Sequence, residues 1–397
     1  MAIAKAIKEA LGSGSMIRKM FEEGAQLKKI HGAGNVFDFS IGNPDLEPPR
    51  AFHDVLVKLA EEDKKGSHGY MSNQGYPEVR EILSKKVSRE QGVNIDGSHL
   101  VMAVGAAGGL NVVFKSILNP GDEVIVPKPF FMEYKSYVAN HGGTLIGVES
   151  APDFNLDLDA IKRALNEKTA AVLINSPHNP TGRIYPGETI KALANLLMDH
   201  GKKTRRNPIL ISDEPYREIV YEGRKVPEIL SAYSNSVVVT SYSKSLSLPG
   251  ERIGYVAVSP LMEDKADMIA ALVFATRTLG FVNAPALMQR VVAELTEAAV
   301  DVDIYARRRD AFKKVLDEAG IKYAEPEGAF YLFCQVPETK NNNADDKAFV
   351  NHLKEHLILG VPGSSFSVPG WVRFAYCVDE QNILNSGPAF KKALAGW

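Results

Sequence analysis

The sequence predicts an α/β protein: a large domain built on a mostly parallel sheet flanked by helices, followed by a smaller α/β lobe. Three observations carry this reading. From about residue 50 to 290, short β-branched runs alternate with longer helical patterns, the signature of βαβ units. Five of these apolar runs each end in an unusual polar motif. Beyond residue 290 a long charged helix (about 290–319) precedes strand-like pieces at Ala329–Val336 and Trp371–Val378, with a helix between them.

The chain of 397 residues is long enough for two cores, and its hydrophobic content of 45% with 24% charged residues is that of an ordinary globular protein. A formal net charge of −2 offers no electrostatic reason for a nucleic-acid or anionic-membrane partner. The basic clusters 202–206 and 307–309 read as solvated faces. Two cysteines, Cys334 and Cys377, lack the spacing of a zinc site or disulfide framework and fit a reducing compartment. Residues 1–29 have no apolar signal-peptide core, and no apolar run reaches membrane-spanning length, so the expected location is the cytoplasm.

Taken in order, residues 1–30 read as one or two amphipathic helices broken at Gly12–Ser15. Gly42-Asn43-Pro44-Asp45 is strong turn chemistry. The five strands and their motifs follow. Leu100–Val104 runs into Gly105-Ala106-Ala107-Gly108, and Glu123–Val126 into Pro127-Lys128-Pro129-Phe130-Phe131. Ala171–Ile174 runs into Asn175-Ser176-Pro177-His178-Asn179-Pro180-Thr181-Gly182. Ile209–Ile211 runs into Ser212-Asp213-Glu214-Pro215-Tyr216, and Val237–Thr240 into Ser241-Tyr242-Ser243-Lys244. Ligands of open α/β sheets sit beyond the carboxyl ends of the strands, so five such ends side by side would build one site. The polar stretch 341–346 reads as a surface loop.

The serine–lysine turn is the most specific of these motifs. Lysine amines form Schiff bases with aldehydes. Serines and an arginine, here Ser241, Ser243 and Arg252, are the usual neighbours of a phosphate. A lysine-reactive aldehyde that carries a phosphate points to pyridoxal 5'-phosphate (PLP). Lys244 would hold it and then act as general base and acid; otherwise it is a loop lysine. Gly105, Ala106 and Ala107 open a helix whose backbone amides could approach an anion, or simply make a tight turn. The spacing is not that of a dinucleotide-binding loop.

The other motifs allow two readings each. Asp213 could keep a pyridine nitrogen protonated, or cap a turn. Tyr216 and Asn179 could hydrogen-bond a ring oxygen; a packed aromatic and an Asx turn are the alternatives. Phe131 could stack on the ring or belong to the core. Arg373, flanked by apolar residues, needs a carboxylate, either a substrate's or a structural one. His178 reads as a turn or surface histidine without a role.

In this order, these residues resemble the class I/II aminotransferases of PLP fold type I, in look nearest the aspartate-aminotransferase-like members. The likeness runs from Gly42 to Arg373 and rests on the 175–182 motif, Asp213-Glu214-Pro215-Tyr216, and Ser-Tyr-Ser-Lys with Pro-Gly-Glu-Arg-Ile-Gly. It implies a large PLP-binding domain (50–290) with a mostly parallel seven-stranded sheet, and a small α/β domain formed by both chain ends (1–49 and 291–397). It also implies Lys244 as the Schiff-base lysine and Asp213 as the pyridinium partner, with Asn179 and Tyr216 on the ring oxygen. Ser241, Ser243, Arg252 and the backbone around Gly105, Ala106 and Ala107 would take the phosphate, and Phe131 would stack on the ring. Arg373, Asn179 and the backbone at Gly42 would bind the substrate α-carboxylate. Tyr70 would reach the phosphate of a neighbouring subunit, making a homodimer.

One departure is visible. Many relatives place serine, threonine or lysine where Ala106 and Ala107 stand, so the phosphate would lose a side-chain contact. For a second, distal carboxylate Lys115 and Arg277 are candidate cations, but neither lies in a diagnostic motif. The expected reaction is ping-pong transfer of an amino group between an L-amino acid, aspartate or another common one, and a 2-oxo acid. A PLP-dependent C–S lyase of the same fold is the alternative. No metal is expected. A ligand sensor fused to a DNA-binding domain is disfavoured because no basic helix–turn–helix precedes the first motif.

Overall fold

The computed structural model describes residues 3–12, 16–338 and 344–397. Helices Lys5–Gly12 and Met16–His31 lie on either side of the position where the break was expected. Ser13–Ser15, and the 341–343 part of the polar stretch, lie outside the described residues. After a short strand β1 (Phe37–Asp38) come β2 (Leu100–Ala103), β3 (Glu123–Pro127), β4 (Thr144–Val148), β5 (Thr169–Asn175), β6 (Ile209–Asp213), β7 (Ser236–Ser241) and β8 (Gly254–Val258). The second lobe adds β9 (Tyr323–Ala324), β10 (Tyr331–Gln335), β11 (Ile358–Leu359), β12 (Val361–Pro362) and β13 (Trp371–Ala375).

Strands β2 to β8 form one seven-stranded sheet in the order β2-β8-β7-β6-β5-β3-β4. Only β8 runs against its neighbours, so β2, β3, β5, β6 and β7 all point the same way. Every residue of β5 and β6 is buried, as expected of central strands covered on both faces. Alternation along each strand feeds two cores. Leu100, Met102, Val172 and Ile174 pack on one side of the sheet; Val101, Ala171 and Leu173 pack on the other.

A third core belongs to the second lobe and is aromatic. Phe39, Phe312, Phe374 and Phe390 interlock there, with the Phe39 and Phe312 rings 4.5 Å apart. Phe39 comes from the early part of the chain, and β1 pairs in parallel with β11, so the segment before residue 50 is built into the lobe made by the segment after 300. The lobe's sheet runs β12-β13-β10-β9, all antiparallel.

Two expectations need correction. The charged helix over 290–319 is two helices, Ala286–Glu294 and Val302–Ala319. Val291, Val292 and Leu295 pack into the large core, whereas Val300, Tyr305 and Phe312 pack into the aromatic one, and Asp301 caps the second helix by accepting from the Asp303 amide at 3.0 Å. Of the cluster 307–309, Arg307 is solvated as expected but Arg308 and Arg309 are not. Arg308 and Arg309 are both 6% exposed. Arg308 forks onto Asp45 at 2.6 and 2.9 Å; Arg309 pairs with Asp310 and Glu222 and lies over the Tyr221 ring. Among the described residues no helix is long and apolar enough to cross a membrane, and no cluster of metal-ligating side chains occurs.

Candidate active site

The shared direction of five strands brings their carboxyl ends to one edge of the sheet, and a cavity of about 390 Å³ opens there. It is lined by Gly42, Ala106, Ala107, Phe131, Asn179, Asp213, Tyr216, Ser241, Ser243, Lys244, Arg252 and Arg373. Residues from across the sequence thus meet in one place.

Lys244 lies on the single helical turn Tyr242–Ser245 that follows β7, where the chain reverses into β8. Its Nζ donates to the Gly42 carbonyl at 2.6 Å and sits 5.5 Å from the centre of the Phe330 ring. Burial, with the nearby charges of Arg373 and Arg252, lowers its pKa to about 8. Roughly a tenth of the amine is therefore unprotonated at pH 7, far more than for an ordinary lysine, and that is the form in which lysine is a nucleophile and a base.

Asp213 is the last residue of β6 and pairs in register with Asn175, whose Nδ2 donates to the Asp213 carbonyl at 2.7 Å. Its carboxylate Oδ2 accepts from the Tyr134 hydroxyl at 2.5 Å, while Oδ1 is buried without a partner. Burial pushes this carboxyl up to about 7 against the Tyr134 hydrogen bond, and the Glu214 charge adds to the rise. Glu214 is itself anchored by Gln91 at 3.0 Å and Arg217 at 2.7 Å, which fixes the turn carrying Asp213 and Tyr216. Tyr216 shares a hydrogen bond of 2.7 Å with Tyr331.

At the other end of the cavity, the helix Gly105–Ile117 directs its N-terminus toward Arg252. Gly105 has φ +67°, and a Cβ there would lie 2.7 Å from Arg252 Nη2. Only glycine allows the helix start and the guanidinium to approach so closely. Together with Ser241 and Ser243 they form a cup of positive charge and donors.

Arg373 projects from β13, is 3% exposed and forms no salt bridge among the described residues. Nη1 donates to Asn179 Oδ1 at 3.1 Å and Nη2 to the Ser40 carbonyl at 2.7 Å; Nε is buried without a partner. The guanidinium lies over the rings of Tyr331 and Phe366 at 4.6 and 5.0 Å. An arginine buried this way calls for an anion. Of the two explanations the sequence left open, the structural salt bridge is therefore absent.

Other expected residues fall elsewhere. Tyr70 is 94% exposed and does not line the cavity of its own chain. Lys115 is exposed near the far end of its helix, and Arg277 is exposed, lying over Phe274 at 5.3 Å; neither lines the cavity. His178 is in a turn, as expected, but not at the surface. It is 4% exposed, bonds Thr181 through Nδ1 at 2.8 Å, and is lowered to about 4 by burial. Tyr134, Tyr137, Asn175 and Tyr331 line the cavity without having been singled out. The spacing of Tyr134 and Tyr137, three and six residues beyond Phe131, was a helical signal; nothing near Tyr331 marked it.

The cavity fits PLP on its own terms. The orphaned Asp213 Oδ1 suits a protonated ring nitrogen, the Gly105–Arg252 cup suits a phosphate, and the low-pKa lysine suits an aldehyde. Comparison with known proteins agrees. The family model "Aminotransferase class I and II" matches residues 34–385. The aspartate/prephenate aminotransferase of Thermus thermophilus is 31% identical over 89% of this chain and 89% of its own length. The aspartate aminotransferase of Thermotoga maritima is 31% identical over 92% of this chain and 94% of its own. Among solved structures, an aminotransferase from Eubacterium rectale superposes with a TM-score of 0.95 at 40% identity, covering 100% of this chain and 99% of that one. The Thermus thermophilus aspartate aminotransferase with maleate superposes with a TM-score of 0.87 at 27% identity, covering 99% of this chain and 100% of that one. This chain belongs to the class I and II aminotransferases, and it is a PLP-dependent, aspartate-aminotransferase-like enzyme that moves amino groups between amino acids and 2-oxo acids.

Proposed function

We propose that Lys244 is the residue that binds PLP covalently and then shuttles the proton during a ping-pong transamination. The observation that supports this most is the pairing, in one buried cavity, of an amine with a depressed pKa and a carboxylate oxygen that lacks a partner. Bound PLP supplies an aldehyde for the amine and a ring that draws electrons from the substrate α-carbon. The protein's own groups do the rest. Asp213, held by Tyr134, keeps the ring nitrogen protonated. Asn179 has Oδ1 engaged with Arg373, which leaves its Nδ2 as the group that would donate to the ring oxygen, alongside Tyr216. Phe131 covers the ring face. Ser241, Ser243, Arg252 and the amides of Ala106 and Ala107 hold the phosphate. Arg373 grips the α-carboxylate, helped by Asn179 and the backbone at Gly42. The Lys244 amine, within reach of the substrate α-carbon, would take the α-proton and hand it on as general base and then acid.

We further propose that residues 50–290 act as the cofactor domain and 1–49 with 291–397 as the small domain. Two chains pair so that Tyr70, which faces solvent here, serves the phosphate cup of its neighbour. The cytoplasm is the proposed location, supported by two buried, unpaired cysteines. Borohydride reduction of the holoenzyme followed by peptide mapping tests the central assignment. The label is expected on Lys244; a label on another lysine would refute it.

A further inference from the structure

We infer that Tyr331 is a positioning residue that, acting through the Tyr216 hydroxyl, tunes the proton held where Lys244 joins the cofactor. The inference rests on the roles proposed above for Lys244 and Tyr216 and adds the group that acts on them from the other lobe. Tyr331 opens β10, is 2% exposed and lines the cavity. Its hydroxyl lies 2.7 Å from that of Tyr216, and among the described residues neither hydroxyl has another hydrogen-bond partner.

Three contacts fix the Tyr331 phenol. The pairing of β10 with β13 sets Tyr331 diagonal to Arg373, whose guanidinium lies 4.6 Å from the centre of the Tyr331 ring. The Tyr216 ring meets it edge-on, with the ring centres 5.7 Å apart. Gly42 abuts its far end, where a Cβ would collide with the Tyr331 hydroxyl. Packed on these sides, the ring holds its hydroxyl on Tyr216.

Proton counting then sets the direction of the bond. Either hydroxyl could donate when no cofactor is bound, and each phenol has one proton. The cofactor's ring oxygen carries negative charge and is a stronger acceptor than a neutral phenol. With the cofactor in place the Tyr216 proton goes to the ring oxygen, and the Tyr331 proton goes to Tyr216. Burial keeps both phenols protonated, with Tyr331 pushed up to about 12 and Tyr216 raised well above its ordinary value. A donor onto the Tyr216 oxygen makes Tyr216 a better donor in turn. Charge taken up from the ring oxygen no longer favours a proton on the nitrogen joining lysine to cofactor, so that proton leaves at lower pH. The other charged and titratable groups around the two phenols are Arg373, Lys244, Asp213 and Cys377. All four stay in place in the variants below, so differences between them report the two hydroxyls.

The test is a pH titration of the visible absorbance of the PLP holoenzyme. Tyr331→Phe keeps the ring and removes the hydroxyl, and the midpoint is expected to rise by about 0.3 to 1 pH unit. Tyr216→Phe is expected to raise it further. Adding Tyr331→Phe to Tyr216→Phe is expected to move the midpoint by less than about 0.2 pH unit, because the effect passes through the Tyr216 hydroxyl. A merely structural role for Tyr331 would move it equally in both backgrounds. That result, or a midpoint unchanged by Tyr331→Phe alone, overturns the role of Tyr331 and leaves the Lys244 assignment standing. A Tyr216→Phe midpoint equal to that of the wild type removes Tyr216 from the ring oxygen, and the role of Tyr331 falls with it.

Discussion

The hydroxyl of Tyr134 donates to Asp213 Oδ2 at 2.5 Å, and the other oxygen of the same carboxylate is left without a partner. One oxygen is thus used to aim the group, and the other is open to the ring nitrogen that Asp213 is proposed to hold. Tyr134→Phe removes a hydrogen bond to a charged acceptor worth about 1.5–3 kcal/mol. Turnover is expected to fall by roughly 10- to 100-fold with little change in amino-acid KM. Steady-state kinetics, paired with a cofactor-binding titration, check this.

Arg373 holds two donors on Asn179 and Ser40 and has no carboxylate partner among the described residues. Arg373→Lys keeps the charge but loses the planar fork. A loss of kcat/KM of roughly 100-fold or more, from an interaction of about 3 kcal/mol or more, is expected. It should be expressed mainly in the KM for the amino acid, while cofactor absorbance stays near wild type. An unchanged KM would move the α-carboxylate to another site.

The depressed pKa of Lys244 has a consequence for stability in the cofactor-free protein. Folded, the amine titrates near 8; its ordinary value is 10.5. The unfolded chain therefore binds more protons between these values, and stability rises with pH across that window. Below about pH 8 the buried charge costs its full amount, roughly 3 kcal/mol from the size of the shift. Cofactor-free Lys244→Met should thus be more resistant to urea than cofactor-free wild type at pH 7, and the gap should narrow toward pH 10.5. Equilibrium urea unfolding at several pH values measures it.

Gly105 combines φ +67° with a Cβ position 2.7 Å from Arg252 Nη2. Gly105→Ala adds left-handed strain of roughly 1–2 kcal/mol and displaces the guanidinium. Cofactor affinity is expected to fall about tenfold or more from these effects together, with a smaller decrease in the stability of the cofactor-free protein. Dissociation of cofactor followed by its absorbance is the readout.

Much of this architecture was legible because parallel strands advertise themselves. Buried runs such as Thr169–Asn175 and Ile209–Asp213 are too short and too β-branched for helices, and each breaks into a polar motif where the sheet ends. The lysine turn, Asp213 and Asn179 were readable for the same reason. Thr144–Val148 was not singled out because it ends without such a motif, although it pairs with β3 through all five of its residues. Arg308 and Arg309 were misread because charge in a helix normally means solvent, and their partners Asp45 and Glu222 lie far away in the sequence. Tyr331 escaped for a similar reason. Its role comes from contact with Tyr216 across the two lobes, which no local pattern encodes.

The residues proposed to surround the cofactor, from Gly105 to Arg252, are all made before Arg373, the residue proposed to grip the substrate, which follows 121 residues later. A ribosome-bound chain can therefore hold the lysine and its phosphate cup while the guanidinium proposed for the α-carboxylate is still missing. On those roles, amino-group transfer requires the last strand of the second lobe, whereas the groups proposed for the vitamin are all laid down before it.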